Sequence, residues 1–217
     1  MNREKIIQTV YDTKIVAIVR GLPTEHMIFL AEALYAGGIR MMEVTFNQKQ
    51  PGRFSDTTDS IALLTERMAG RMIIGAGTVT TPELVQKTYD AGGRFIVSPD
   101  CKQAVIEKTR ELDMVSMPGA FSPTEISAAY GWGADFVKVF PAGVLGSAYI
   151  KAVKAPLPHI PLLAVGGVNE KNVGEFVAAG AVGAGCGGNL VNRAWIEAGE
   201  AEKIIELAKQ FIKGAAV

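Results

Sequence analysis

A lysine stands in the middle of an otherwise apolar run, Phe136-Val137-Lys138-Val139-Phe140-Pro141. Burying an ammonium without a partner is costly, and such a group tends to give up its proton. A neutral amine is a nucleophile toward carbonyl carbon. Glu43 has a matching setting in Met41-Met42-Glu43-Val44-Thr45-Phe46. A carboxyl in partly apolar surroundings has its pKa raised toward the range useful for general acid–base catalysis. Plainer roles are open to both: Lys138 as a snorkelling side chain or half of a structural ion pair, Glu43 as its partner or that of Arg20. Strand periodicity puts Met41, Glu43 and Thr45 on one face, and Phe136, Lys138 and Phe140 on one face. If both faces line a common interior, amine and carboxyl converge.

Groups suited to anions lie at the ends of other apolar runs. Arg20 ends the first, and Thr78 ends the third after Gly75-Ala76-Gly77. Either can hold a carboxylate or phosphate, the arginine through charge-assisted hydrogen bonds; a rim salt bridge is an equal alternative for Arg20. Gly166-Gly167 follows Leu163-Ala164-Val165, and Gly187-Gly188-Asn189 follows the last run. Bare amides of this kind cradle phosphate in many barrels, and they also serve plain tight turns. Residues 183–188 fit G-x-G-x-x-G formally, but too little chain follows for the strand and acidic partner of a dinucleotide site. His26 and His159 fall in a helix start and a loop. Cys186 fits a small buried filler, and Asp12, Asp59, Asp90 and Asp100 fit solvated positions. No cluster has metal-ligand spacing, which favours metal-independent carbonyl chemistry.

The elements that must position these groups alternate regularly. Apolar runs at 14–20, 41–46, 72–78, 95–99, 114–118, 136–141, 161–167 and 181–187 are bounded by Gly or Pro and read as buried strands. Stretches with helical periodicity separate them. Pro23-Thr24-Glu25, Thr81-Pro82-Glu83, Ser122-Pro123-Thr124-Glu125 and Asn169-Glu170 mark helix starts. Gly37-Gly38, Gly92-Gly93, Gly131 and Gly180 mark left-handed helix ends. Buried strands alternating with amphipathic helices imply a parallel sheet. Eight units fit a closed (β/α)₈ TIM barrel, class α/β, as one domain over residues 1–217. A doubly wound sheet is the alternative, but Arg20-Gly21-Leu22-Pro23 lacks its phosphate fingerprint. The segment before Lys14 reads as an extra N-terminal helix, and 201–213 as the last barrel helix.

Composition sets the limits. The chain has 217 residues, 48% hydrophobic and 20% charged, with 22 basic residues balancing 22 acidic ones. Such values exclude intrinsic disorder, and the zero net charge offers no strong electrostatic target to nucleic acid or an anionic membrane. The longest charge-free stretch, 176–192, is broken by glycines and asparagines and is no membrane span. The N-terminus has no secretory h-region, and two cysteines make no disulfide framework. A reduced, cytoplasmic protein is the expectation.

Taken in order, several segments resemble the 2-keto-3-deoxy-6-phosphogluconate / 4-hydroxy-2-oxoglutarate aldolases, class I Schiff-base enzymes. They are Ile15-Val16-Ala17-Ile18-Val19-Arg20, Gly37-Gly38-Ile39 with Glu43-Val44-Thr45, Gly75-Ala76-Gly77-Thr78-Val79, and Phe95-Ile96-Val97-Ser98-Pro99. Met117-Pro118-Gly119 with Pro123-Thr124-Glu125, Lys138-Val139-Phe140-Pro141-Ala142 and Gly166-Gly167-Val168-Asn169 complete the set. The resemblance implies that Lys138 forms the imine, without cofactor, and that Glu43 moves the protons. It implies that Thr78 meets the pyruvate carboxylate, with Pro99 and Phe140 around the three-carbon donor. It also implies that Gly166, Gly167, Gly187 and Gly188 cradle a phosphate. Its implied ligands are a small keto acid and a phosphorylated aldehyde, and its implied assembly is a homotrimer. Two positions depart from the family: Asn47 stands where some members carry a carboxylate-binding arginine, and Asn189 where a phosphate-binding serine is common. Both join Arg20 and Thr45 as candidate substrate contacts, with Arg20 a possible source of the missing charge. The implied reaction is cleavage of 2-keto-3-deoxy-6-phosphogluconate, of 4-hydroxy-2-oxoglutarate, or of both, to pyruvate and glyceraldehyde 3-phosphate or glyoxylate, with the galactonate epimer as the alternative substrate. A phosphosugar isomerase or epimerase, or a non-catalytic phosphometabolite sensor, would share the glycine pairs without needing Lys138 as nucleophile.

Overall fold

A computed structural model describes residues 2–217. Nine strand segments form one parallel sheet: β1 (Ile15–Val19), β2 (Met41–Thr45), β3 (Ile73–Gly77), β4 (Phe95–Val97), β5 (Val115–Met117), β6 (Gly119–Ala120), β7 (Val137–Val139), β8 (Leu162–Val165) and β9 (Ala181–Cys186). Their order is β5-β4-β3-β2-β1-β9-β8-β7-β6. The two segments at the ends of that order are consecutive in the chain. The first of them, β5, lies in the fifth predicted run, which ends at Pro118; the second, β6, continues past that proline, which has no N–H for the ladder. From there on, Lys138 N–H donates to Pro118 O at 2.8 Å and Phe140 N–H to Ala120 O at 3.0 Å. The sheet thereby curls into an eight-stave α/β barrel.

Strand alternation divides the apolar residues into two sets. Ala17, Val19, Met42, Val44, Ile74 and Ala76 pack outward against the helices. Val16, Met41, Ile73, Phe95, Val97, Val115, Met117, Phe136, Leu163 and Val165 fill the interior, joined by Ile6 and Val10. Those last two belong to the N-terminal helix Arg3–Thr13, which therefore plugs the barrel's N-terminal mouth. Arg3 pairs with Asp135, and the Tyr11 ring lies 5.5 Å from that of Phe136. With one end plugged by apolar side chains, polar chemistry is left to the C-terminal mouth, where barrel strands end in loops.

Local signals mostly act where the sequence places them. Thr81 accepts from Leu84 N–H, and Ser122 and Glu125 form a reciprocal capping box. Some boundaries move. The start marked at Pro23-Thr24-Glu25 opens a 3-10 turn, Thr24–His26, and the α-helix begins at Met27, while the last helix runs on to Ala215. Gly131 is still helical, and Gly133 takes the left-handed turn instead. The helix predicted from Asn169 begins at Val173, because Asn169 and Asn172 first exchange side-chain bonds with each other's backbone N–H. Among the described residues, no helix is long and apolar enough to cross a membrane.

Candidate active site

Glu43 and Lys138 both point into the barrel, at 2% and 7% exposure. Glu43 stands opposite Ile18 on β1 and Gly75 on β3, and Lys138 opposite Gly119 on β6 and Leu163 on β8. The strand facing Glu43 is bare for a reason. A Cβ added at Gly77 would lie 2.2 Å from Glu43 Oε1, and one at Gly75 would meet the Phe95 ring at 2.6 Å. Glycine on β3 is what lets a carboxylate and an aromatic ring share the interior.

Burial pushes the Glu43 carboxyl up to about 7, against the opposing pull of Lys138 and Arg20. Burial likewise lowers the Lys138 amine, with Arg20 adding to the shift while Glu43 and Asp100 resist it. Lysine and glutamate act on each other through charge, and among the described residues neither side chain makes a hydrogen bond. The amine faces the Phe140 ring, 4.8 Å from its centroid, and that ring is 38% exposed. An amine kept toward its neutral form beside a carboxyl that titrates near neutrality can attack a carbonyl and shuttle protons.

Both groups line a cavity of about 550 Å³ opening at the C-terminal mouth. Arg20, Thr78, Pro99, Phe140, Gly166, Gly167, Gly187, Gly188 and Asn189 line it too. Thr78 has φ +55, a left-handed conformation uncommon for a β-branched residue. Gln48 donates to its carbonyl at 3.0 Å and Arg20 to its hydroxyl at 3.3 Å, so the strained residue is clamped from both sides. Gly166 and Gly167 have consecutive positive φ values, +88 and +78, and Gly143 N–H grips Gly166 O at 2.6 Å. Among the described residues, the backbone N–H groups of Gly167, Val168, Gly187 and Gly188 donate to no acceptor within the chain. Four free donors on two facing loops form a cradle for an anion.

Two expected contacts lie elsewhere. Thr45 does not line this cavity: its hydroxyl is spent on Val19 O at 2.8 Å, and its methyl packs where Gly77 leaves room. Asn47 is also displaced, because it closes its own turn, accepting from Lys49 N–H and donating to Gln50. Both border a separate cavity outside the barrel wall, with Arg53, Asp56 and Ser60. Arg20 is then the cation at the donor end. Among the described residues, no group of three or more His, Cys, Asp or Glu is placed to hold a metal ion.

Over residues 6–207 the sequence matches the family described as KDPG and KHG aldolase. The chain belongs to that aldolase family. A protein of Rhizobium meliloti (strain 1021), described as a probable 2-dehydro-3-deoxy-6-phosphogalactonate aldolase, is 41% identical over 177 residues, 81% of each chain. The 2-dehydro-3-deoxy-phosphogluconate aldolase of Treponema pallidum (strain Nichols) is 33% identical over 96% of each. Among solved structures, the KDPG aldolase of Legionella pneumophila superposes with a TM-score of 0.84 at 27% identity, over 94% of this chain and 97% of that one. That crystal holds pyruvate as a covalent carbinolamine. Ile18, Val165, Val168, Gly185, Asn169, Glu170 and Lys171 also line the cavity, although the sequence does not single them out as contacts. The first two look like any core residue in a strand, and the last two like any polar pair in a loop.

Proposed function

We propose that this chain is a class I aldolase that cleaves a 2-keto-3-deoxy-6-phospho sugar acid into pyruvate and glyceraldehyde 3-phosphate. The observation that carries this reading is a buried, unpaired lysine beside a carboxyl of raised pKa on the floor of an open cavity. The neutral Lys138 amine adds to the C2 ketone, and the carbinolamine loses water with Glu43 supplying and removing protons. The protonated imine then draws electrons from the C3–C4 bond as Glu43 takes the C4 hydroxyl proton. The aldehyde leaves; the enamine is protonated at C3 and hydrolyses to pyruvate. Arg20 and Thr78 hold the C1 carboxylate, Pro99 and Phe140 flank the donor, and the amides of Gly167, Val168, Gly187 and Gly188 receive the phosphate.

The galactonate epimer, second on sequence alone, moves to first place. The 41% identical relative carries that name, whereas gluconate-named relatives stand at 33%. The reading takes residues 1–217 as one domain and includes the cytoplasmic homotrimer implied by the family resemblance.

Borohydride added with pyruvate is expected to inactivate the protein irreversibly and add the reduced pyruvyl mass at Lys138. Peptide mass mapping checks it. Folded protein labelled elsewhere, or not at all, would exclude the imine and leave the sensor reading in its place. A second expected result concerns β3. Gly77→Ala forces Glu43 aside, because its Cβ has no other room. Sub-ångström placement of a proton-transfer group matters, and kcat should fall on the order of 10²-fold. Circular dichroism and steady-state kinetics test the pairing of retained fold with lost turnover; an unchanged kcat would contradict the role given to Glu43.

A further inference from the structure

The wall of the anion cradle contains a carboxylate. Glu170 sits in the loop after β8 and lines the cavity beside Gly166 and Gly167. Asn189, in the loop after β9, donates its side-chain N–H to Glu170 Oε2. The bond spans the cradle, joining the two loops whose amides are free. Glu170 is half-buried and held in place, whereas neighbouring Lys171 is exposed at the rim. Solvent screens the exposed cation more than the half-buried anion. A site built only for a dianionic phosphate has no use for a fixed negative charge here. Uncharged hydroxyl groups, by contrast, readily donate to a carboxylate.

We propose that Glu170, positioned by Asn189, determines specificity at this end of the cavity. It lowers the cradle's preference for a phosphate dianion and lets substrates ending in hydroxyl-bearing carbon compete. This rests on the aldolase reading above.

The test compares kcat/KM for a 2-keto-3-deoxy-6-phospho sugar acid and for the same sugar acid without phosphate. Glu170→Gln keeps the shape and removes the charge, and the phosphorylated-to-unphosphorylated ratio should rise about tenfold, mostly through KM for the phosphorylated substrate. Asn189→Ala releases the carboxylate to solvent and should move the ratio the same way, by less. A ratio that stays flat or falls in Glu170→Gln overturns the proposal. A ratio that falls in Asn189→Ala would mean that Asn189 binds phosphate directly, and would overturn its assignment as a clasp. Borohydride trapping of pyruvate on the same preparations separates the two levels of inference. Without label at Lys138 the aldolase reading itself fails; with label and a flat ratio, only the role of Glu170 does.

Discussion

Lys138→Met is expected to abolish aldol cleavage and to raise the melting temperature. Loss of the amine removes the covalent route, and the drop in kcat should reach on the order of 10⁴-fold or more. The stability gain follows from the setting. In the unfolded chain the lysine is a solvated ammonium; in the barrel it is surrounded by Val97, Met117, Leu163 and Val165, and burial lowers its pKa. Methionine has similar volume and no charge to desolvate. Removing Lys138 also removes the pull that opposes burial at Glu43, so that carboxyl moves further toward its neutral form. Replacing a buried ionic group by an apolar one of like size is often stabilising, here on the order of 1–2 kcal/mol, or roughly 2–8 °C for a chain of this size. Calorimetry and a coupled assay for pyruvate check both halves. A lysine that served only as a structural ion-pair partner would give the opposite result: a lower melting temperature with activity retained.

The physics that makes this prediction also made the site legible. An ionisable residue inside an apolar run is conspicuous because a buried charge is expensive, so Lys138 and Glu43 stand out in the sequence. Alternation then placed them on strand faces that both turn inward. The same alternation says less about Thr45. It shares the face of Glu43, but at the strand end its hydroxyl turns to the Val19 carbonyl of β1, a choice made between strands and invisible along one of them. Pro118 could be read as a strand boundary, whereas its place at the seam between the two ends of the sheet is a property of the closed barrel. The glycine pairs were visible as unusual composition. Their free amides, the clamp of Gln48 on Thr78 and the clasp of Asn189 on Glu170 depend on loops far apart in sequence meeting in space. Polar loop residues carry no periodic signal, so Glu170 reads only as part of a helix start and Lys171 does not stand out.

Glu43→Gln should separate imine formation from bond cleavage. The amide keeps the shape but cannot take the C4 hydroxyl proton, so kcat should fall by about 10²–10⁴-fold. Trapping of pyruvate on Lys138 by borohydride should persist at a reduced rate. Stability should respond to pH as well. The folded-state pKa of Glu43 is raised from 4.5 to about 7, so the native state binds more protons than the unfolded chain between these values. Its contribution to stability is fully present below the unfolded pKa and is lost as pH rises through the folded one. The shift corresponds to about 3 kcal/mol. Glutamine does not titrate, so the variant should gain on the wild type progressively from pH 4.5 to 7 and keep its lead above that. A melting-temperature difference that is flat across this window would mean that Glu43 is ionised in the folded protein throughout. It would then be a fixed counter-charge to Lys138 rather than a group that gives and takes protons.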